Sequence, residues 1–342
     1  MPKLSILAVL AGISTAGFGQ ETVFQVPVRV VTVPAVVVTS GGQFIRGLQD
    51  HDFRLLDNDR GQNLHLEYAE APLSLAIVVQ TNDAVRAWLP EVRRVASVVE
   101  AMLLGATGEA SVSTFSDDVR TLQPFSADAV LLDRSFASIS PNGDRSRCLD
   151  AVLVAAKQLA IVSPDRRRVI LLISQSGDVG SAAPLHDVLK ELELDNIVLY
   201  GLAMPRVGKD LVKNTISITG TNGAYGRSDT GIMGTIDLGK LIPEIFREEK
   251  ASLGQDAIAV LTSEMGGRRV PFRKLSDLEH GISGIGLELH TEYLLSYTPD
   301  RNTPGYHRIH VQVDRPDIVV RARPGYYLSE FDASQQTPTS LR

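Results

Sequence analysis

The sequence is short of the features that would settle a function at once. Among 342 residues there is one cysteine, Cys148, so no intrachain disulfide can form. Cys148 precedes Leu149 in an apolar helical pattern and reads as a small core residue, not as a catalytic thiol. Net charge is −6 and no Lys/Arg cluster stands out, which argues against nucleic-acid binding. Beyond the N-terminus no segment approaches the roughly 20 apolar residues of a membrane-spanning helix. Catalytic signatures are missing too. Ser174-Gln175-Ser176-Gly177 is not a Gly-x-Ser-x-Gly elbow, and Gly201-Leu202-Ala203-Met204-Pro205 lacks dinucleotide glycine spacing. His307 and His310, three apart on an expected strand, point to opposite faces and make no metal pair. Asp144, Asp150 and Asp165 show no local metal-ligand pattern.

What is present is a globular composition, 44% hydrophobic and 22% charged, with length for two ordinary domains. Met1-Pro2-Lys3, the apolar run Leu4–Ile13 and the small residues after it predict an export leader over 1–19, cleaved near Ala16 or Gly19. This places the mature protein in the periplasm or outside the cell.

Val23–Thr39 is rich in valine and predicts short strands, with Pro27 and Pro34 marking edges or breaks. Ser40-Gly41-Gly42-Gln43 reads as a hairpin turn. Alternation continues through Phe44–Leu48, Phe53–Asp57 and Leu64–Tyr68, the last two separated by the turn Asn58-Asp59-Arg60-Gly61.

The period changes at about Pro72. Strand Leu73–Val79 leads to a helix over Asp83–Leu104. A hairpin follows, turning on Ser116-Asp117-Asp118. Helices are expected over Ala127–Ser138, Arg147–Val162 and Pro184–Leu192, with strands at 168–174 and Ile197–Gly201. Strands alternating with helices imply a mainly parallel sheet. Residues 204–235 are rich in Gly, Thr and Ser and exceed an ordinary connection. Helical pattern returns over Leu238–Met265. A short strand Arg268–Phe272 and a helix Leu275–His290 come next. Three strands, Glu292–Tyr297, Tyr306–Val313 and Val319–Leu328, precede a polar tail, 329–342. Tyr293, Tyr297, Tyr326 and Tyr327 read as packing residues of that β part.

Several segments, in order, name a family. They are Gly47–Asp57, Thr114–Val119, Ser263–Arg268, Glu292–Pro299 and Arg321–Tyr327. Together they resemble the secreted von Willebrand factor type A (VWFA)-related proteins of the Acidobacteria type. The resemblance covers nearly the whole mature chain. It implies an α/β, Rossmann-like doubly wound von Willebrand A domain over 72–290. The flanking segments 20–71 and 291–328 would then build one β-sandwich of about seven strands.

In type A domains the first strand ends in Asp-x-Ser-x-Ser and the fourth in Asp, which hold Mg²⁺ with a Thr from another loop. The matching positions here are Gln80, Asn82, Ala84 and Gln175, with Ser146 for the Thr. Mg²⁺ favours carboxylate oxygens, and neutral amides forfeit most of the attraction. Asp83 and Asp178 lie one and three residues off the expected positions. The expectation is a degenerate site whose polar residues hydrogen-bond one another, with no metal and no cofactor. The resemblance implies an exported, non-enzymatic protein-binding or scaffold protein with an unnamed protein partner. The alternatives are an exported enzyme whose residues converge from afar, or a metal-dependent adhesion module with a remodelled site.

Overall fold

The structure, a computed structural model, describes residues 30–67, 71–163, 165–175, 177–205, 256–301 and 303–328. The expected leader, Pro27, nearly all of the 204–235 loop, the first part of the helix expected over Leu238–Met265 and the polar tail lie outside the described residues.

The chain opens with β1 (Val31–Thr39), β2 (Phe53–Asp57), β3 (Arg60–Gly61) and β4 (Leu64–Glu67). It continues through β5 (Leu73–Gln80), α1 (Leu89–Val92), α2 (Ala96–Val99), β6 (Glu109–Phe115), β7 (Val119–Ser126), α3 (Ala129–Ser138) and α4 (Cys148–Ala160). Then come β8 (Arg167–Ser174), α5 (Leu185–Leu194), β9 (Val198–Ala203) and α6, residues 256–264. Last are β10 (Arg269–Pro271), α7 (Leu275–Leu289), β11 (Tyr293–Tyr297), β12 (Gly305–Val313), β13 (Ile318–Ala322) and β14 (Gly325–Leu328).

The central sheet has the order β10-β9-β8-β5-β6-β7. All neighbours are parallel except β7, which returns antiparallel along β6. Numbered within this unit, the order is 3-2-1-4-5-6, the doubly wound arrangement whose switch point lies between the first and fourth strands, β5 and β8. Every residue of β5 is buried, because helices cover both faces. Leu75, Ile77 and Val79 pack with Val92, Val99, Phe136 and Ile282 on one face. Ala76 and Val78 pack with Val152, Val188 and Leu261 on the other.

The helix expected over Asp83–Leu104 is not continuous. It is a 3-10 turn at Asp83–Val85, then α1, α2 and a wide π-type turn at Glu100–Leu104. Pro90 supplies no N–H and its ring clashes with the preceding turn, so one unbroken helix cannot pass through it. The apolar periodicity survives the break, since Leu89, Val92, Val95, Ala96 and Val99 all face the core.

The two ends of the chain form two antiparallel four-stranded sheets, β13-β1-β11-β4 and β14-β12-β2-β3. Each sheet takes two strands from each end. They share one core, including Val33, Val37, Leu55, Leu295, Tyr297, Ile309 and Tyr326. Eight strands stand where about seven were expected. Phe44–Leu48 adds only a bridge at Phe44 to Val38. The strand expected over Val319–Leu328 is interrupted at Arg323-Pro324, and its halves, β13 and β14, join different sheets. Pro34 does not break β1. It sits opposite Leu294 in the half of β1 that pairs only with β11, because β13 begins its pairing at Ala35. That half is locally an edge, where a missing N–H is tolerated.

Candidate functional site

β5 and β8 end side by side, and the residues that follow them define the carboxyl edge of the sheet. Gln80 closes β5 with 1% exposure. Its Nε2 donates to Asn82 Oδ1 at 2.8 Å. Its Oε1 accepts from Ser174 Oγ at 2.9 Å and from the Gln175 backbone N–H at 2.8 Å. Asn82 Nδ2 in turn donates to the Asp144 carbonyl at 3.1 Å. One carboxamide therefore ties the ends of both strands at the switch point, and Asn82 extends the tie to the loop before α4. Such a buried chain is favourable because each polar group has a partner.

Gln175 turns away from Gln80 with its own side chain. Its Nε2 donates to the Pro205 carbonyl at 3.0 Å and, more weakly, to the Ala84 carbonyl at 3.4 Å. Ala84 is exposed and brings only this backbone oxygen. Ser146 is buried but stands slightly apart: its Oγ donates to the Gly177 carbonyl at 3.0 Å, and its backbone bridges to Val179. Gln80, Asn82 and Gln175 are thus brought into one network, while Ser146 joins through the backbone after β8.

The two off-register carboxylates are engaged elsewhere. Asp83 points outward, paired with Arg86 at 2.7 Å on the surface. Asp178 accepts from the Leu149 backbone N–H at 3.0 Å and from Ser181 Oγ at 2.6 Å. It holds the start of α4, where an anion is favoured by the helix N-terminus. Among the described residues no three His, Cys, Asp or Glu side chains gather as a metal cage.

Sequence reasoning missed three contributors. Ser174, the last residue of β8, supplies a hydroxyl to Gln80. Asp150, in the first turn of α4, accepts from the backbone N–H groups of Ala182 and Ala183 at 3.0 and 2.8 Å. Arg147 pairs with Asp150 at 2.8 Å. Ser174 was legible as the polar end of an apolar strand, whereas Asp150 gave no signal, since its partners are backbone groups about thirty positions away. Cys148 lies beneath this edge, fully buried, and burial pushes its thiol well above the ordinary range, with the Asp178 charge adding to the effect.

The remaining candidates are placed in the sandwich. His307 is buried and His310 exposed, on opposite faces of β12. His307 Nδ1 lies 2.8 Å from Asp57 Oδ1, and Asp57 Oδ2 also accepts from Tyr297 and Tyr326, both at 2.9 Å. Tyr293 packs edge-on against Phe53. These groups hold the β core together.

No family model matches the chain, and no curated protein matches it. Among solved structures it is similar to an aerotolerance-related membrane protein from Bacteroides fragilis, at 13% identity and TM-score 0.41, over 63% of this chain and 99% of that one. It is similar to BatB from Bacteroides thetaiotaomicron, at 14% identity and TM-score 0.40, again over 63% and 99%. It is also similar to a von Willebrand factor type A protein from Catenulispora acidiphila, at 8% identity and TM-score 0.46, over 90% of this chain and 65% of that one. The architecture is a mixed α/β, mainly parallel six-stranded sheet accompanied by two small antiparallel sheets from the chain ends. No helix among the described residues is long and apolar enough to cross a membrane.

Proposed function

We propose that this is an exported, non-enzymatic protein-binding or scaffold protein. Its partner docks on the exposed surface at the carboxyl edge of the central sheet, beside the buried polar network and without a bridging metal. The observation that carries this reading is the state of Gln80: it is buried, its oxygen already accepts two hydrogen bonds and its amide nitrogen donates to Asn82. A partner carboxylate arriving there has no cation to complete, and the two nearby carboxylates are committed to Arg86 and to the start of α4. In open α/β sheets this edge is where ligands bind, and Ala84 and Val179 lie exposed beside it.

The experiment is affinity capture from periplasmic and secreted fractions with the full chain, in EDTA and in Mg²⁺. The expected result is a saturable protein partner retained equally in both. Ala84→Arg, a bulky cation at an exposed rim position, should abolish capture without altering the melting temperature. Capture that is lost in EDTA and restored by Mg²⁺ would overturn the metal-free reading. Determining the mature N-terminus of the exported protein tests the leader: it should begin near residue 20.

A further inference from the structure

The core of the sandwich holds a buried group of polar side chains drawn from both of its sheets. Asp57 closes β2, His307 lies in β12 and Tyr326 in β14, all in one sheet, while Tyr297 reaches in from β11 of the other. The side chains of Asp57 and His307 keep only 5% and 3% of their surface exposed. Asp57 Oδ2 accepts from both phenol hydroxyls at 2.9 Å. Burial first, and then Tyr326 and the Asp57 charge, push the Tyr297 phenol well up, so it stays a donor. Asp57 Oδ1 faces His307 Nδ1 at 2.8 Å. On the far side of the ring, Nε2 faces the Thr303 carbonyl at 2.7 Å, with the Thr303 hydroxyl at 3.4 Å. The Tyr326 hydroxyl also lies 3.2 Å from Nδ1, but its shorter bond is to Asp57 and it has one proton to give. A further charge borders the group: the Arg323 guanidinium stands 5.9 Å from the centre of the Tyr326 ring.

These distances constrain where the protons are. A neutral imidazole carries a proton on one nitrogen only. With that proton on Nδ1, the Nε2 lone pair would oppose the Thr303 carbonyl at 2.7 Å, and the hydroxyl that could relieve it is 3.4 Å away. With it on Nε2, the Nδ1 lone pair would oppose a carboxylate oxygen at 2.8 Å. Moving a further proton onto Asp57 would remove that clash, but imidazole is the stronger base, at about 6.5 against 3.9 for a free carboxyl. The imidazolium donates to both oxygens and supplies the cation that a buried carboxylate requires.

We propose that His307 is a buried imidazolium, and that its second proton latches the β11–β12 connection at Thr303 and the two sheets of the sandwich to Asp57. Loss of that proton leaves the Asp57 charge without its imidazolium partner in the core, a state that costs stability, so the contact between Thr303 and His307 opens. A histidine held charged by folding stabilises fully below its unfolded value, about pH 6.5, and that stabilisation is lost as pH rises through the higher folded value. The latch is therefore closed at about pH 6.5 and opens in mild alkali.

The test is nitrogen-15 spectroscopy of the histidine rings in the full chain between about pH 5.5 and 9, a window that spans the ordinary imidazole value. His307→Gln identifies the signal by removing it. Both His307 ring nitrogens should carry protons at about pH 7.5, where an unperturbed imidazole is about nine-tenths neutral, and one proton should leave at higher pH. Hydrogen exchange on β12 and β14, corrected for intrinsic rates, should lose at least about threefold protection as that proton leaves, within the tenfold per pH unit that linkage allows, while β5 and β8 keep theirs. His310→Gln, exposed on the other face of β12, should change neither result. A His307 ring with one bare nitrogen at about pH 7.5 overturns the imidazolium, and proton loss that leaves β12 and β14 equally protected overturns the latch. Should His307→Gln fail to fold, sequential backbone assignment identifies the ring, and the wild-type spectra decide alone.

Discussion

Gln80 ties the two strand ends at the switch point together with neutral atoms. A glutamine both donates and accepts, so it can bond Asn82 with one end and Ser174 and Gln175 with the other. Mg²⁺ at millimolar concentration is expected to leave the melting temperature unchanged. A native-state ligand at a hundredfold excess over Kd would add about 2.7 kcal/mol, a shift thermal denaturation detects readily. The double variant Gln80→Asp, Gln175→Asp should behave oppositely: less stable in EDTA, through like-charge repulsion in a buried site, and stabilised by Mg²⁺. An Mg²⁺-induced rise in the natural protein that Asp83→Ala removes would refute this account. Cys148 makes a second residue-scale test. Its thiol is buried and its ionisation suppressed, and the thiolate is the reactive form. Thiol reagents should modify it only as fast as the protein unfolds, so labelling of the native protein within minutes would contradict the burial.

At the scale of elements, the loop before α4 is held by the strands it serves. Asn142 N–H reaches the Thr81 carbonyl at 2.7 Å, Asp83 N–H reaches the Gly143 carbonyl at 3.0 Å, and Arg145 N–H reaches Asp117 at 3.1 Å. Gly143 has φ 74°, and a Cβ there would press on the Asp117 carboxylate at 2.6 Å. Gly143→Ala is strained in the backbone and crowded in the side chain. It is expected to cost about 1–3 kcal/mol in chemical denaturation and to loosen the Asn82–Asp144 bond at the edge. A variant of unchanged stability would show that the loop has room the structure does not display. The broken stretch from Asp83 to Leu104 belongs to this scale as well: Pro90, at the second position of α1, separates that helix from the turn at Asp83–Val85, yet the face the stretch presents to the core is the one a helical period gives.

For the molecule as a whole, the decisive contacts join parts far apart in sequence. Glu288 is wholly buried between two guanidinium groups. Removing one member of such a group leaves uncompensated buried charge and costs about 3–5 kcal/mol. Glu288→Ala should therefore destabilise the protein by that order in urea unfolding, and should expose β13 to exchange before β5. A loss under about 1 kcal/mol, the size of an exposed pair, would mean the clamp is hydrated and contributes little. The sandwich itself depends on both chain ends, because β1 pairs with β11 and β13, and β12 pairs with β2 and β14.

The sequence by itself determined the local elements and their order. Period-two and period-3.6 apolar patterns reflect how side chains project from strands and helices, so β5, β8, α4 and α7 were legible within a few residues. The same holds for the neutral character of Gln80, Asn82, Ala84 and Gln175, which is a statement about residue types at given positions. Only the tertiary structure decided that Gln80, rather than a mutual cluster of four side chains, holds the strand ends together, and that Ser146 stands apart from it. It alone decided that Asp178 is spent on α4, that the last β segment divides between two sheets, and that Glu288 meets Arg321 of the sandwich. These depend on partners that lie tens to hundreds of positions apart, and a hydrogen bond or a desolvated carboxyl leaves no periodic trace along the chain.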